Sequence, residues 1–424
     1  MSEGLVSIIL AVLFVLAVSL LVRAITLRRR ELSYASLLVF VGLGVSILGF
    51  QLEITLTYAL IIEVLLPVIL FHGTTELNLD ALVENAPLVL TLAVVGLPVS
   101  VLLMGFAGTV VFGFPLLVSL VFAAIILPTD PAAVLSLFQE FDAPDRLSIT
   151  VEGESLLNDG VAVVIFSTFF AAVRDYQATD QPLATSATPG TIANFGSDLL
   201  VVGGGGILVG GVVGYLAHQL ARRLQDFKSL LLLTIMVAYG SFVLAEQVVG
   251  VSGILAVVAA GLLMGAHDDR EHAEDTEKLA FLEHVWGSAS FLASTLLYVL
   301  IGVQVRISDF TANLGLILSA AVLVVVIRAV VTYPLLGLLN RTVSQPMPLR
   351  CQGLVVWAGL HTVIPVALVL SLPASFPFAS ELRAMVFGVA IISMVVQGLL
   401  TPYILRLTGI ADQAVRTDLD RIET

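Results

Sequence analysis

The chain has 424 residues, of which 58% are hydrophobic and only 12% charged, with a mean hydropathy of +1.05. Soluble domains carry roughly 25% charged residues, so this composition excludes a soluble globular protein and indicates a membrane one. The net charge of −13 argues against nucleic acid as a partner, and the single cysteine, Cys351, leaves no internal disulfide.

Apolar stretches of membrane-crossing length predict about thirteen helical spans. They lie near 4–23, 32–50, 54–72, 86–112, 115–139, 147–173, 195–221, 228–248, 251–267, 281–303, 310–339, 349–372 and 380–407. The fold class is all-α and polytopic. Met1-Ser2-Glu3-Gly4 lacks the basic flank of a signal peptide, so the first span is expected to be retained. Pro98 predicts a tilt or break in the fourth span. The link from Asp175 to Gly190 is the longest polar stretch and reads as a loop. One membrane domain is expected over 1–410, followed by a short polar tail over 411–424.

Arginine and lysine set the expected orientation. Arg23, Arg28, Arg29, Arg30, Arg146, Arg222, Arg223, Lys228, Arg270, Lys278, Arg341, Arg350 and Arg406 fall on one side if the N-terminus is outside and the C-terminus cytoplasmic. The opposite side holds Arg174, Arg306 and Arg383. The expected location is the cell membrane.

The fifth span is interrupted by Pro128-Thr129-Asp130-Pro131. A carboxylate at bilayer depth costs several kcal/mol and is a functional-site hypothesis by default. The prolines free backbone carbonyls, and broken backbone at that depth is tolerated only inside protein or beside a watery cavity. The sixth span then carries Glu154-Ser155-Leu156-Leu157-Asn158-Asp159-Gly160. On a helix Ser155 and Asp159 share one face and Glu154 and Asn158 the adjacent one. Polar contact between helices would not require several acids. Carboxylates, hydroxyls and freed carbonyls together suit a hard cation.

In the third span, Glu63 before Pro67 is a further candidate acid of the pathway. His72 reads equally as a proton-responsive group or a neutral hydrogen-bonded one. Gly203-Gly204-Gly205-Gly206, with Gly210, Gly211 and Gly214, lies inside the seventh span and predicts close helix contact, not a nucleotide loop. His267-Asp268-Asp269-Arg270-Glu271-His272 reads as a solvated loop between spans and not as a metal site. Arg328, inside the eleventh span, needs a carboxylate if it is buried, and Glu154 is the expected partner; the alternative is a side chain that snorkels to an interface.

The twelfth span is interrupted in its turn by Gly359-Leu360-His361-Thr362-Val363-Ile364-Pro365. Pro365 could simply kink a packing helix. Paired interruptions in two halves point instead to an inverted repeat with the binding site between them. Spans one to six would then match eight to thirteen. His361, at this break, is a candidate pH-responsive group, or equally a neutral core histidine.

Taken together, Pro128-Thr129-Asp130-Pro131 and Glu152-Gly153-Glu154-Ser155-Leu156-Leu157-Asn158-Asp159-Gly160 resemble the sodium/proton antiporters of the NhaP and NHE type, in the monovalent cation/proton antiporter superfamily. The resemblance implies about thirteen helices in two inverted repeats, with two crossed discontinuous helices near 128–131 and 359–365. It implies a core bundle of about 54–173 and 281–372, dimer or scaffold helices from the remainder, and a homodimer in the bilayer. It implies that Asp159 binds the sodium ion or the proton, that Asp130, Thr129 and Ser155 help form the ion site, that Asn158 before Asp159 marks electroneutral exchange, and that Glu154 and Arg328 form a structural ion pair. Two departures stand out. Many relatives carry Leu-Arg-Gly-Ala where this chain reads Leu360-His361-Thr362-Val363, which removes a fixed positive charge. Some carry an acid near the end of the third span, where Gly73 stands here.

The expected function is secondary sodium/proton antiport, one for one, by alternating access, with the cation and the proton competing for Asp159. Ion gradients supply the energy, so no cofactor is expected and the chain is not expected to be an enzyme. Potassium/proton exchange is the nearest alternative. A cation channel would usually repeat its selectivity site around a pore. An intramembrane aspartyl protease would use two aspartates to activate water.

Overall fold

The computed structural model describes residues 3–28, 33–49, 54–130, 134–135, 137–138, 141, 143–178, 196–224, 226–265, 273–343, 345–359 and 361–409. Among these residues, eight helices are long and apolar enough to cross a membrane, and Tyr34–Ile47, Leu116–Ile126 and Gly253–Gly265 are shorter apolar helices.

The first helix, α1 (Glu3–Arg28), has 26 residues. At 1.5 Å per residue it spans about 39 Å, more than the hydrocarbon core of a bilayer. Its Leu10, Leu20 and Leu21 are exposed, as suits a surface that meets lipid. α2 (Tyr34–Ile47) follows, capped by the Ser33 side chain on Ser36 N–H.

Proline does not break the next two helices. A π-helical turn over Leu60–Leu65 precedes Pro67 at the start of α3 (Leu66–Glu76), and another over Thr91–Gly96 joins α4 (Leu79–Leu90) to α5 (Leu97–Val111), with Pro98 at the junction. The wider turn makes room for a ring that would clash with the carbonyl four residues earlier. Of the tilt or break expected at Pro98, the break is absent: the span is continuous from Leu79 to Val111.

α6 (Leu116–Ile126) is buried on every side from Leu117 onward. A helix apolar all round belongs at the centre of a bundle, and this one brings the Asp130 segment there. α7 (Asp145–Ala178) runs beside it. A π turn at Leu199–Gly203 leads into α8 (Gly204–Ala221); α9 (Phe227–Val243) and α10 (Gly253–Gly265) complete that group. Glycines spaced by four do the close packing there. A Cβ on Gly206 or Gly210 would come within 2.4 Å or 2.1 Å of the carbonyls of Ser252 and Ala256.

The remaining helices are α11 (Ala273–Gln304), the short α12 (Ile307–Ala312), α13 (Leu314–Leu339), α14 (Leu349–Trp357), α15 (Val363–Ser371) and α16 (Ala379–Leu407). α14 and α15 are two halves of one interrupted segment, both largely buried. The 267–272 loop, most of the 175–190 link and the 411–424 tail lie outside the described residues, as do Pro131 and Leu360.

Candidate functional site

Four polar side chains stand on one stretch of α7 and all are buried: Glu154, Ser155, Asn158 and Asp159 are 5%, 4%, 1% and 8% exposed. Facing them is the non-helical segment Pro128–Asp130, where α6 has ended and its ladder of backbone hydrogen bonds with it. Two α7 side chains bridge to this segment. The Ser155 hydroxyl donates to the Thr129 carbonyl, and the Asn158 amide donates to the Thr129 hydroxyl at 2.8 Å. The interruption is thus held open by polar groups one helical turn apart.

The second interruption lies against the first. The Thr362 hydroxyl donates to the Asp130 carboxylate at 2.7 Å, and His361 Nδ1 lies 3.0 Å from the Pro128 carbonyl. A carbonyl only accepts, so Nδ1 is the protonated nitrogen of that contact. Thr362 is also the N-cap position of α15, which places the Asp130 carboxylate at a helix N-terminus, the end that favours negative charge. A second hydroxyl, Tyr298 on α11, donates to the same carboxylate oxygen at 3.1 Å.

Asp159 is different. It is close enough to Asp130 for the two charges to interact. Yet among the described residues no group hydrogen-bonds its carboxylate, one turn beyond Ser155. A buried carboxylate without a partner is expensive. A proton or a cation would neutralise it.

Glu154 is already neutralised. Arg328 on α13 grips it with two parallel hydrogen bonds of 2.9 Å each and also donates to the Val355 carbonyl at 3.1 and 3.3 Å. Val355 is in the last turn of α14, where carbonyls have no helical partner. The guanidinium lies so close to Gly359 that a Cβ there would meet its Nε at 2.7 Å. The side chain is 11% exposed, so it is held inside and does not snorkel. Asn158, Glu154 and Arg328 also line a cavity of about 20 Å³ with Ser100 and Thr332, enough for one water.

The structure therefore brings Thr129, Asp130, Glu154, Ser155, Asn158, Asp159, Arg328 and His361 into one assembly, all buried except the half-buried Asp130 and Arg328. Glu63 is not part of it: the side chain is exposed on the π-helical turn before α3. His72 instead faces Glu76, with Nε2 3.5 Å from a carboxylate oxygen. Gly73 meets Leu156, 3.7 Å from where a Cβ would be. Reasoning from sequence missed Tyr298 and Thr362 as the donors to Asp130. A hydroxyl beside the second interruption was a signal for Thr362. No local pattern points to Tyr298, which is 168 residues from its partner.

With this geometry in place, the similarity to known proteins is informative. The family model for the transmembrane sodium/hydrogen exchanger matches residues 13–407. The chain is 33% identical over 388 residues to the Na(+)/H(+) antiporter ApNhaP of Aphanothece halophytica, covering 91% of this chain and 72% of the relative. It is 32% identical over 414 residues to the Na(+)/H(+) antiporter NhaH of Halobacillus dabanensis, covering 96% and 99%. The solved structure of the sodium proton antiporter MjNhaP1 of Methanocaldococcus jannaschii has the same fold, with a TM-score of 0.73 at 20% identity over 96% of this chain and 100% of that one. A family match over nearly the whole length, joined to two interrupted helices that meet at buried acids, places this multi-pass membrane protein in the sodium/hydrogen exchanger family.

Proposed function

We propose that the protein exchanges sodium ions for protons across the membrane, one for one, with Asp159 taking either by turns. The observation that carries this reading is the state of Asp159: buried, beside the two interruptions, and without a hydrogen-bond partner among the described residues. The other acids nearby are committed. Glu154 is balanced by Arg328, and Asp130 is held by two hydroxyls at the N-terminus of α15. Asp159 is the acid left with neither an ion-pair partner nor a hydrogen-bond donor among the described residues, and one proton or one monovalent cation would balance its charge. Asn158 is neutral and adds no second exchangeable charge, which supports electroneutral exchange.

Sodium is a hard cation and takes oxygen ligands. The carboxylates of Asp159 and Asp130 and the oxygens of Ser155 and Thr129 supply such a set. Thr129 and Ser155 are already fixed to each other, which limits reorganisation when the ion arrives. Alternating access follows if the bundle holding the two interruptions, about 54–173 and 281–372, rocks against the remaining helices, which form the dimer contact. In this reading the N-terminus is outside, the arginine-rich loops are cytoplasmic, and the protein acts as a homodimer in the cell membrane without a cofactor.

The test is purified protein in proteoliposomes with a pH-sensitive dye inside. Inward gradients of sodium and lithium should drive proton efflux, and an imposed membrane potential should leave the rate unchanged. A larger response to potassium would assign potassium/proton exchange. Proton movement that follows the imposed potential would overturn electroneutrality, and no cation-dependent proton movement would overturn antiport.

A further inference from the structure

Two of the three arginines that the charge pattern puts on the sparsely cationic face converge on one place. Arg306, between α11 and α12, and Arg383, in the second turn of α16, line a cavity of about 350 Å³ away from the buried acids. Cations are disfavoured on that face, so pairing two of them in one cavity needs a reason. Arg383 donates through one terminal nitrogen to the Leu372 carbonyl, just beyond α15, while its Nε is buried without a partner among the described residues. Among those residues neither arginine has an ion-pair partner.

The rest of the lining tells what would fit. Gln304 adds an amide, and Phe310, Leu370 and Phe387 add apolar walls. The single lining acid, Asp309, accepts from Ser308 at 3.2 Å, and the Ser380 hydroxyl is turned to Glu381 at 2.7 Å. Two guanidinium groups against one carboxylate leave one net positive charge. The cavity sits at the ends of α11, α15 and α16, where helices leave the membrane, and Ile307 on α12 beside it is exposed. A guanidinium fork matches phosphate oxygens, and apolar walls beside it suit acyl or glycerol carbons.

We infer that this cavity binds a phosphate-type oxyanion, carried either by a phospholipid headgroup of that leaflet or by free phosphate. The ligand would join the α11–α12 connection to the start of α16 through Arg306 and Arg383. Asp309 would oppose it and set an upper bound on affinity. No residue of the Asp159 assembly lines the cavity, so the two sites are separate.

The full chain, purified in a neutral detergent, tests this by thermal unfolding. One arm adds phosphatidylglycerol, with phosphatidylcholine as control. The other adds sodium phosphate, with sodium chloride at equal sodium concentration, brought to equal ionic strength with choline chloride, as control. Binding to the folded state raises Tm with ligand concentration. Phosphatidylglycerol should raise Tm, the rise should be lost in Arg306→Gln and in Arg383→Gln, and it should be larger in Asp309→Asn. Arg383→Gln also loses its Leu372 contact and could fail to fold; Arg306 is exposed, so Arg306→Gln keeps the test decisive. A rise with inorganic phosphate as well identifies the free anion as sufficient, and a rise with the lipid alone identifies the headgroup with its chains. No rise with either probe, or equal rises in wild type, Arg306→Gln and Asp309→Asn, would overturn the site.

Discussion

Arg328 on α13 and Glu154 on α7 are 174 residues apart in sequence and meet through two parallel hydrogen bonds of 2.9 Å. The pair couples three elements, because Arg328 also holds the Val355 carbonyl at the end of α14. Removing one partner strands the other charge inside the protein, at a cost of about 3–5 kcal/mol. Arg328→Ala and Glu154→Gln should each lower Tm strongly. The double variant Glu154→Gln, Arg328→Gln should be milder than the sum of its singles. Purely additive losses in that cycle would reject the coupling.

Asp159 and Asp130 should respond differently to the same change. Asp159→Asn removes a carboxylate that has no hydrogen-bond donor among the described residues. Sodium-driven proton flux should fall to background while Tm stays close to wild type. Asp130→Asn weakens an acceptor of two hydroxyls, Tyr298 and Thr362. Hydrogen bonds to a charged group are worth about 1.5–3 kcal/mol, so this variant should lose stability as well as transport. Wild-type flux in Asp159→Asn would sink the single-carboxylate mechanism.

His361 is buried, with its Nδ1 proton given to the carbonyl of Pro128. That contact makes it a strut between the two interruptions. His361→Ala should leave the carbonyl without its donor and cost about 1–3 kcal/mol. His361→Gln supplies a side-chain N–H in its place and should give an activity–pH curve that overlays the wild type. A curve that separates only on the acidic side would show that protonation of His361 inhibits transport.

Outside the membrane, the Ser229 backbone N–H and hydroxyl, each at 2.9 Å, hold the Asp226 carboxyl below the usual carboxylate range, with help from Lys228. A depressed value means that the folded state favours the charged form. The stabilisation is present above the ordinary carboxylate pKa and is lost as pH falls through the depressed one. Asp226→Asn keeps an acceptor at the N-cap of α9 and removes the charge. Its Tm should lie below wild type at neutral pH, and the gap should close in acid. A gap that stays constant with pH would show that charge plays no part.

Hydropathy, proline position and the rarity of acids in apolar segments are local properties, and by themselves they determine much of this protein. A helix satisfies its own backbone, so apolar length announces a span. Pro128 and the Gly359–Pro365 stretch announced the interruptions, and the spacing of four put Ser155 and Asp159 on one face. Even Arg328 announced its need for an acid, because a buried guanidinium has few solutions. Tertiary structure decided which rigid helices meet. That Tyr298 and Thr362 hold Asp130, that Asn158 props Thr129, and that Asp159 is left without a donor depend on contacts between residues up to 232 apart. Glu63 shows the same limit from the other side. Its acid-in-a-span signal matched that of Asp159, but the rotation of its helix turned it outward, and a sequence carries rotation only through packing against neighbours it does not name.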